Sequence, residues 1–401
     1  PLGIGEEKMQ KLALRLAAVA AAFFAFVGSA AAEDAVRIGL ITTLSGPPGY
    51  LGEDMRDGFK LAIDQQDGKL GGTPVELLVE DDGLNPGNAK QIAERMVRRD
   101  NAAILTGVIF SNVQPVVAPV ALSNGRFYVA SNAGPSPMAG AGCHKNYFVS
   151  SWQNDAMHET AGIAANNAGH KTALIMVPNY QAGKDAVAGF KRYFKGEIVD
   201  EIYTQLNQTD YAAEIARIRS DKPDVVFYFL PGGLSINFLK QYSQAGLMGE
   251  VPIIAPMVSM EARILAGVGE AALGMRATAH WNADLDNEAN EAFVAAFRET
   301  YDREPTPWAA QGYDAAQLIA SALKATGGKV TEAADDFRAA LRKAEFDAVR
   351  GDFKFAPNQH PRQNWYLLEV QKDDAGKLHL ATVETIVSDH GDPYGDECKL
   401  D

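Results

Sequence analysis

Chemistry in this chain has to come from a short set of residues, and the common catalytic groupings are missing from it. No Gly-x-Gly-x-x-Gly follows the first β-type run and no Gly-x-x-x-x-Gly-Lys-Ser/Thr occurs, so neither a dinucleotide nor a nucleotide phosphate has its glycine cradle. No Gly-x-Ser-x-Gly turn presents a nucleophile. The seven histidines show neither His-x-His nor His-Glu-x-x-His spacing. His158-Glu159 alone makes no zinc site, and surface histidines are the expectation. The run Glu80-Asp81-Asp82 has the charge for a metal or a general acid, but before Gly83 at a strand end it reads as a solvated turn. What remains are loops of small, hydroxylic and amide residues, Ser111-Asn112 and Ser131-Asn132-Ala133-Gly134. Free N–H groups at a helix start, with a hydroxyl beside them, hold a carboxylate, although the same residues could do no more than cap helices. That is the chemistry of capture, without a cofactor and without metal.

Those loops need strands to carry them. Val36 to Asp64 shows the unit: a β-branched run (Val36, Ile38, Leu40 to Thr43), a turn of Ser45 to Gly49, then Met55, Phe59, Ala62 and Ile63 on one helix face. Val75 to Asp81 is a second strand, and Asn85-Pro86 starts a helix whose buried face is Ala89, Ile92, Ala93, Met96 and Val97. Ala103 to Val108 and Phe127 to Ala130 follow, with Ser111 or Asn112 as the N-cap of the helix between them. Successive strand–loop–helix units predict an α/β fold with a parallel sheet covered on both faces.

The pattern then restarts with strands at Lys171 to Val177, Glu197 to Tyr203 and Val225 to Leu230, the last running into Pro231-Gly232-Gly233. Ile253-Ile254 leads into Ala255-Pro256-Met257, and Arg276 to His280 leads into Trp281-Asn282. β-type stretches at Asp352 to Phe355, Trp365 to Val370 and Leu378 to Thr385 close the chain. The expectation is two doubly wound lobes whose strand-end loops face one another across a ligand cleft. Lobe 1 takes residues 33–150 and 283–355, lobe 2 takes 151–282 and 356–386, and 387–401 is a tail.

A length of 401 residues fits two domains, and a net charge of −14 leaves no basic surplus for a nucleic-acid partner. Met9, Lys11 and Arg15 precede the apolar run Leu16 to Val27, and Ala30-Ala31-Ala32 offers small residues for cleavage. This is the pattern of a secretory leader, cut near Ala32, with residues 1–8 upstream of it; the run is shorter than the ~20 residues of a membrane span. In an exported chain the pair Cys143 and Cys398 can form a disulfide, which would hold the polar tail down.

Taken in order, Leu44-Ser45-Gly46-Pro47 with Gly52, Glu80-Asp81-Asp82, Gly107 through Ser111 and Ser131-Asn132-Ala133 match a known pattern. Tyr180, Asp224 to Tyr228 and Gly312-Tyr313-Asp314-Ala315 complete it. From Val36 to about Thr385 the chain resembles the type I periplasmic solute-binding proteins of ABC transporters, in the leucine/isoleucine/valine-binding branch. The resemblance implies three crossings between the lobes, placed near Ser150, Asn282 and Phe355, and closure about a hinge. It implies a ligand carboxylate on Ser111 or Asn112, with Ser131 and Asn132 in the next loop and the amides of Ala133 and Gly134. It also implies Tyr180 over the ligand and an aromatic place held here by Tyr50 or Leu51. Gly232 in the facing loop is a further candidate.

Amino-acid binders of the branch carry an acidic residue where this chain has Met257. A buried ammonium without its counter-charge costs several kcal/mol. With Trp281 nearby, the pocket implied is one for an acid lacking an ammonium group, such as a benzoate or hydroxycinnamate; if Asp284 supplied the charge, the ligand would be an amino acid. The partners implied are that small acid and a membrane permease, with the protein a monomer. Ligand sensing for a signalling system is the reading from another class.

Overall fold

The computed structural model describes residues 35–400. The expected leader and its expected cleavage point lie outside them.

The first sheet contains β1 (Val36–Thr42), β2 (Lys69–Leu70), β3 (Thr73–Asp81), β4 (Ile104–Thr106), β5 (Phe127–Ala130) and β6 (Tyr147–Val149). Their order is β2-β3-β1-β4-β5-β6, parallel apart from the β2–β3 pair. β1 is buried from Ile38 through Thr42, as a central parallel strand between two helical layers must be. Strand order reverses between β3 and β4 around β1, so the β1 and β4 loops splay apart at the sheet's carboxyl edge and open the crevice where such folds bind ligands. Asn85 caps the helix Pro86–Arg98 by accepting from the N–H groups of Gly87 and Asn88, which fixes the helix after β3.

The second sheet holds β7 (Thr172–Pro178), β8 (Glu197–Thr204), β9 (Val225–Tyr228), β10 (Ile253–Pro256), β11 (Arg276–Ala279), β12 (Phe353–Phe355), β13 (Pro361–Lys372) and β14 (Leu378–His390). Its order is β12-β13-β11-β10-β9-β7-β8, with β14 on β13. The β7 to β11 ladder is parallel, and β12, β13 and β14 add an antiparallel flank. Phe353 to Phe355 therefore belongs with the second sheet, so the last crossing precedes Phe353. β14 continues to His390, shortening the tail. Cys143 and Cys398 are joined by a disulfide, and Tyr394 Oη donates to Asp155 Oδ2 at 2.8 Å, so the tail lies across both lobes' neighbourhoods.

Two helices of the first lobe set the cleft's near wall. Gly49–Asp64 and Pro307–Thr326 cross at Gly58 and Gly312, where an added Cβ would stand 1.9 Å from the Ala309 carbonyl oxygen and 2.1 Å from that of Met55. Only glycine lets the backbones touch, and the contact brings the starts of both helices, with Leu51 and Trp308, to the same edge.

The first crossing and the chain just before the last one meet at a polar node. Asp314 and Arg350, 0% and 1% exposed, are paired at 2.8 Å. Arg350 Nη1 also donates to the Ser151 carbonyl (2.9 Å) and to Gln363 Oε1 (3.0 Å), and Gln363 Nε2 donates to Ser151 (3.0 Å). A first-lobe helix, the first crossing and β13 are thereby tied through one guanidinium.

Candidate functional site

Where the carboxyl edges of the two sheets face each other lies a cleft with about 410 Å³ of space free of protein atoms, its solvent-open part included. The first lobe contributes Leu51, Ile109, Phe110, Ser111, Asn132 and Trp308. The second contributes Asn154, Met157 and His158 from one helix, Tyr180 and Ala182, then Phe229, Pro231 and Val258, with Trp152 from the first crossing. The wall is largely aromatic and aliphatic with a few polar groups at one end, the composition of a small-molecule site. Among the described residues, no carboxylate side chain lines it.

The polar end is built around Ser111. After β4 the turn bonds Val113 N–H and Gln114 N–H to the Phe110 carbonyl (2.9 and 3.3 Å), leaving the N–H groups of Ser111 and Asn112 outside that pair. The helix begins only at Gln114, with Val113 in the cap position and no side-chain cap, so neither Ser111 nor Asn112 is the N-cap. Pro115 sets the helical φ one residue into the first turn, which displaces the start. Asn154 Nδ2 donates to Ser111 Oγ (3.0 Å) and to Asp185 Oδ2 (2.8 Å), so the Ser111 hydroxyl has its proton free to donate. Asn132 Nδ2 donates to the Ile109 carbonyl at 2.7 Å, and its buried Oδ1 has no partner among the described residues.

The amides expected to receive a carboxylate are engaged elsewhere. Ala133 N–H donates to the Val108 carbonyl (3.2 Å) and Gly134 N–H to Asn154 Oδ1 (3.1 Å). Ser131 Oγ accepts from Gly107 N–H (3.1 Å) and serves the loop's shape. Leu51 lines the cavity, whereas Tyr50 reaches over the cleft's mouth. Its hydroxyl donates to Glu261 Oε1 (2.9 Å), and a Cβ on Gly232 would lie 3.3 Å from its oxygen, so Gly232 makes room for Tyr50. Tyr180 stands in the wall, stacked at 6.3 Å on Phe229. Burial raises the pKa of its hydroxyl, and Asp185 adds to the effect.

Met257 and Trp281 are not in this wall. Both border a separate depression shared with Arg263, Asp284 and Arg303, and Trp281 Nε1 donates to Asn290 Oδ1 at 2.7 Å. The residue after Pro256 that does face the cleft is Val258, because Met257–Ser259 is a 3₁₀ turn and not a continued strand. Asp284 is held by Asn282 and Thr382 in that other depression.

Several wall residues carry no mark in the sequence. Trp308 follows a proline at a helix start, and Phe229 ends an apolar strand run. Asn154, Met157 and His158 fall at i, i+3 and i+4, one helix face, which is the signal that could have grouped them. His158 is wholly buried against Phe229 (ring centroids 5.0 Å) and Phe227 (5.7 Å), not on the surface. Burial lowers its pKa to about 3, so the imidazole is neutral.

Contacts across the mouth hold the lobes together. Arg263 donates to Asp54 (2.8 Å) with its guanidinium 4.8 Å above the Tyr50 ring, and Ser136 Oγ donates to Asp185 (2.6 Å). Burial pushes the Glu261 carboxyl up to about 7, while the Arg263 N–H and the Tyr50 hydroxyl oppose the rise. The acidic run at the end of β3 is structural and only partly solvated: Asp81 accepts from Leu44 N–H and Gly83 N–H, and buried Asp82 accepts from Thr43 Oγ1.

Two doubly wound lobes facing each other across a largely apolar cavity define the architecture of a solute-binding clamp. The chain belongs to the periplasmic binding protein family, whose model matches residues 35–377. It is similar to the Leu/Ile/Val-binding protein homolog 6 of Brucella melitensis, 29% identical over 96% of this chain and 99% of that one. Among solved structures it is similar to an ABC-transporter solute-binding protein of R. palustris in complex with benzoate, at 32% identity and a TM-score of 0.86, over 91% of this chain and 100% of that one. Another, from Rhodopseudomonas palustris BisB5 in complex with 3,4-dihydroxybenzoic acid, shares 28% identity and a TM-score of 0.82, over 90% and 99% of the two chains. These relatives are solute-binding proteins rather than enzymes, and the family's work lies outside the cytoplasm.

Proposed function

We propose that this protein captures a small aromatic carboxylic acid outside the cytoplasmic membrane and delivers it to the permease of an ABC importer. The observation that carries the reading is the uncharged wall: among the described residues no acidic side chain lines the cavity, and Val258 stands in the turn after β10. An ammonium there would be buried without a counter-charge, at a cost of several kcal/mol. Rings fit better, since Phe110, Tyr180, Phe229, Trp152 and Trp308 supply flat apolar surface. The carboxylate would lie on the Ser111 turn, meeting the Ser111 hydroxyl and the N–H groups of Ser111 and Asn112. Secretion through a leader cut near Ala32, and action as a monomer, complete the proposal.

The names of the curated relatives favour a second reading, a branched-chain amino acid in the same cleft. Titration calorimetry with benzoate, hydroxybenzoates, hydroxycinnamates and leucine separates the two. Aromatic acids binding at micromolar Kd or tighter with leucine inert supports the first; leucine alone binding refutes it. The acid recovered unaltered after incubation, with a raised Tm, marks capture without reaction.

A further inference from the structure

We propose that His158 recognises a hydroxyl on the ring of the bound acid, so that the cleft prefers hydroxybenzoates to benzoate. The inference rests on the aromatic-acid reading and assigns it a residue and a substituent. His158 is fully buried and borders the cavity, yet neither Nδ1 nor Nε2 has a hydrogen-bond partner among the described residues. Its ring neighbours are Phe227 and Phe229, which can satisfy neither nitrogen. A buried polar atom left unpaired is costly, and a site that holds one beside its ligand space selects ligands able to pair it.

Placement says which part of the ligand that is. His158 lies four residues after Asn154, on the same helix face and just over one turn, about 6 Å, along the axis. Asn154 is the residue that holds Ser111 Oγ at 3.0 Å, at the carboxylate end. One helical turn is about the width of a benzene ring. An acid anchored on the Ser111 turn therefore brings the far edge of its ring, not its carboxylate, to the imidazole. Chemistry agrees with placement. Held neutral by burial, the imidazole offers one donor and one acceptor, and a phenolic hydroxyl offers the same pair in reverse.

The test is calorimetry on the full chain with benzoate, 3-hydroxybenzoate and 4-hydroxybenzoate, for the native protein, His158→Phe and His158→Gln. The native protein is expected to bind one hydroxybenzoate about tenfold or more tighter than benzoate. His158→Phe should lose about 10- to 100-fold on that hydroxybenzoate and less than about threefold on benzoate, and His158→Gln should recover most of the loss. Equal losses on all three acids, or no preference in the native protein, overturn the role of His158 while leaving aromatic-acid capture intact. A native protein that binds leucine and none of these acids overturns both. Should His158→Phe not fold, nitrogen-15 spectra of the native imidazole decide: its shifts must move with the preferred hydroxybenzoate and stay put with benzoate, and identical responses refute the proposal.

Discussion

Replacing Arg350 with methionine should lower the melting temperature by about 5 °C. Arg350 and Asp314 sit at 1% and 0% exposure and 2.8 Å apart, so the substitution strands a carboxylate in the interior. Breaking a buried pair in this way costs about 3–5 kcal/mol, and a chain of several hundred residues loses about 1–2 °C per kcal/mol. Burial already raises the pKa of Asp314, and the Arg350 charge is the largest influence opposing that rise. Without Arg350 the folded-state pKa climbs further. An acid whose folded pKa is raised contributes most below its unfolded pKa and loses that contribution as pH rises through the folded value, so the Arg350→Met deficit should be larger at pH 8 than at pH 5. Val349 N–H keeps one Asp314 oxygen occupied at 3.0 Å, which limits the loss, whereas Ser151 and Gln363 lose their donor as well. Scanning calorimetry on Arg350→Met, Asp314→Leu and the double variant completes a cycle. The double variant should melt above the Arg350→Met single, since two apolar residues leave no stranded charge. A single variant that melts within about 2 °C of the native protein, or a double variant as low as the two losses summed, refutes the role given to this pair.

Gly312→Ala should cost about 1–3 kcal/mol, because its methyl would meet the Met55 carbonyl at 2.1 Å and force two helices apart; an unchanged denaturation midpoint would contradict the close crossing. Ser111→Ala should weaken carboxylate binding about 10- to 100-fold with little change in the Tm of the unliganded protein, and calorimetry showing native affinity would remove Ser111 from the site. Glu261, with its carboxyl pushed up to about 7 from 4.5, favours the folded state most below pH 4.5 and loses about 3 kcal/mol of that advantage as pH rises through 7. Glu261→Gln should flatten that slope in urea midpoints measured from pH 4.5 to 8, and parallel slopes in the two proteins would show that Glu261 does not carry it.

What the sequence made legible was whatever a short stretch decides by itself. β1 alternates and then runs apolar, and Asn85-Pro86 caps and starts a helix within four residues, so both can be read without knowing their neighbours. The helix Asn154–Asn167 defeats the same method. Asn154, Asp155, His158, Glu159 and Thr160 are all buried, although such a run of polar residues reads as a solvated face. Their partners come from far along the chain: Arg192 on Asp155 and Glu159, Gly134 on Asn154, Phe229 against His158. No window around His158 contains the information that it is inside.

The two differences at the ligand wall have unequal weight for the same reason. Facing direction after Pro256 depends on whether the chain stays extended or tightens into a 3₁₀ turn, and one residue of phase moves the cleft position from Met257 to Val258. Both side chains are uncharged, so the absence of a counter-ion for an ammonium group does not depend on that phase. The carboxylate contacts do depend on the third dimension. Gly134 N–H is claimed by an Asn154 oxygen that arrives after the first crossing, while the same side chain's amide holds Ser111. A loop read alone offers every N–H it has; folded, this one has its Ala133 N–H taken by the Val108 carbonyl and its Gly134 N–H by Asn154, which is why we propose the turn at Ser111 and Asn112 for the anion instead.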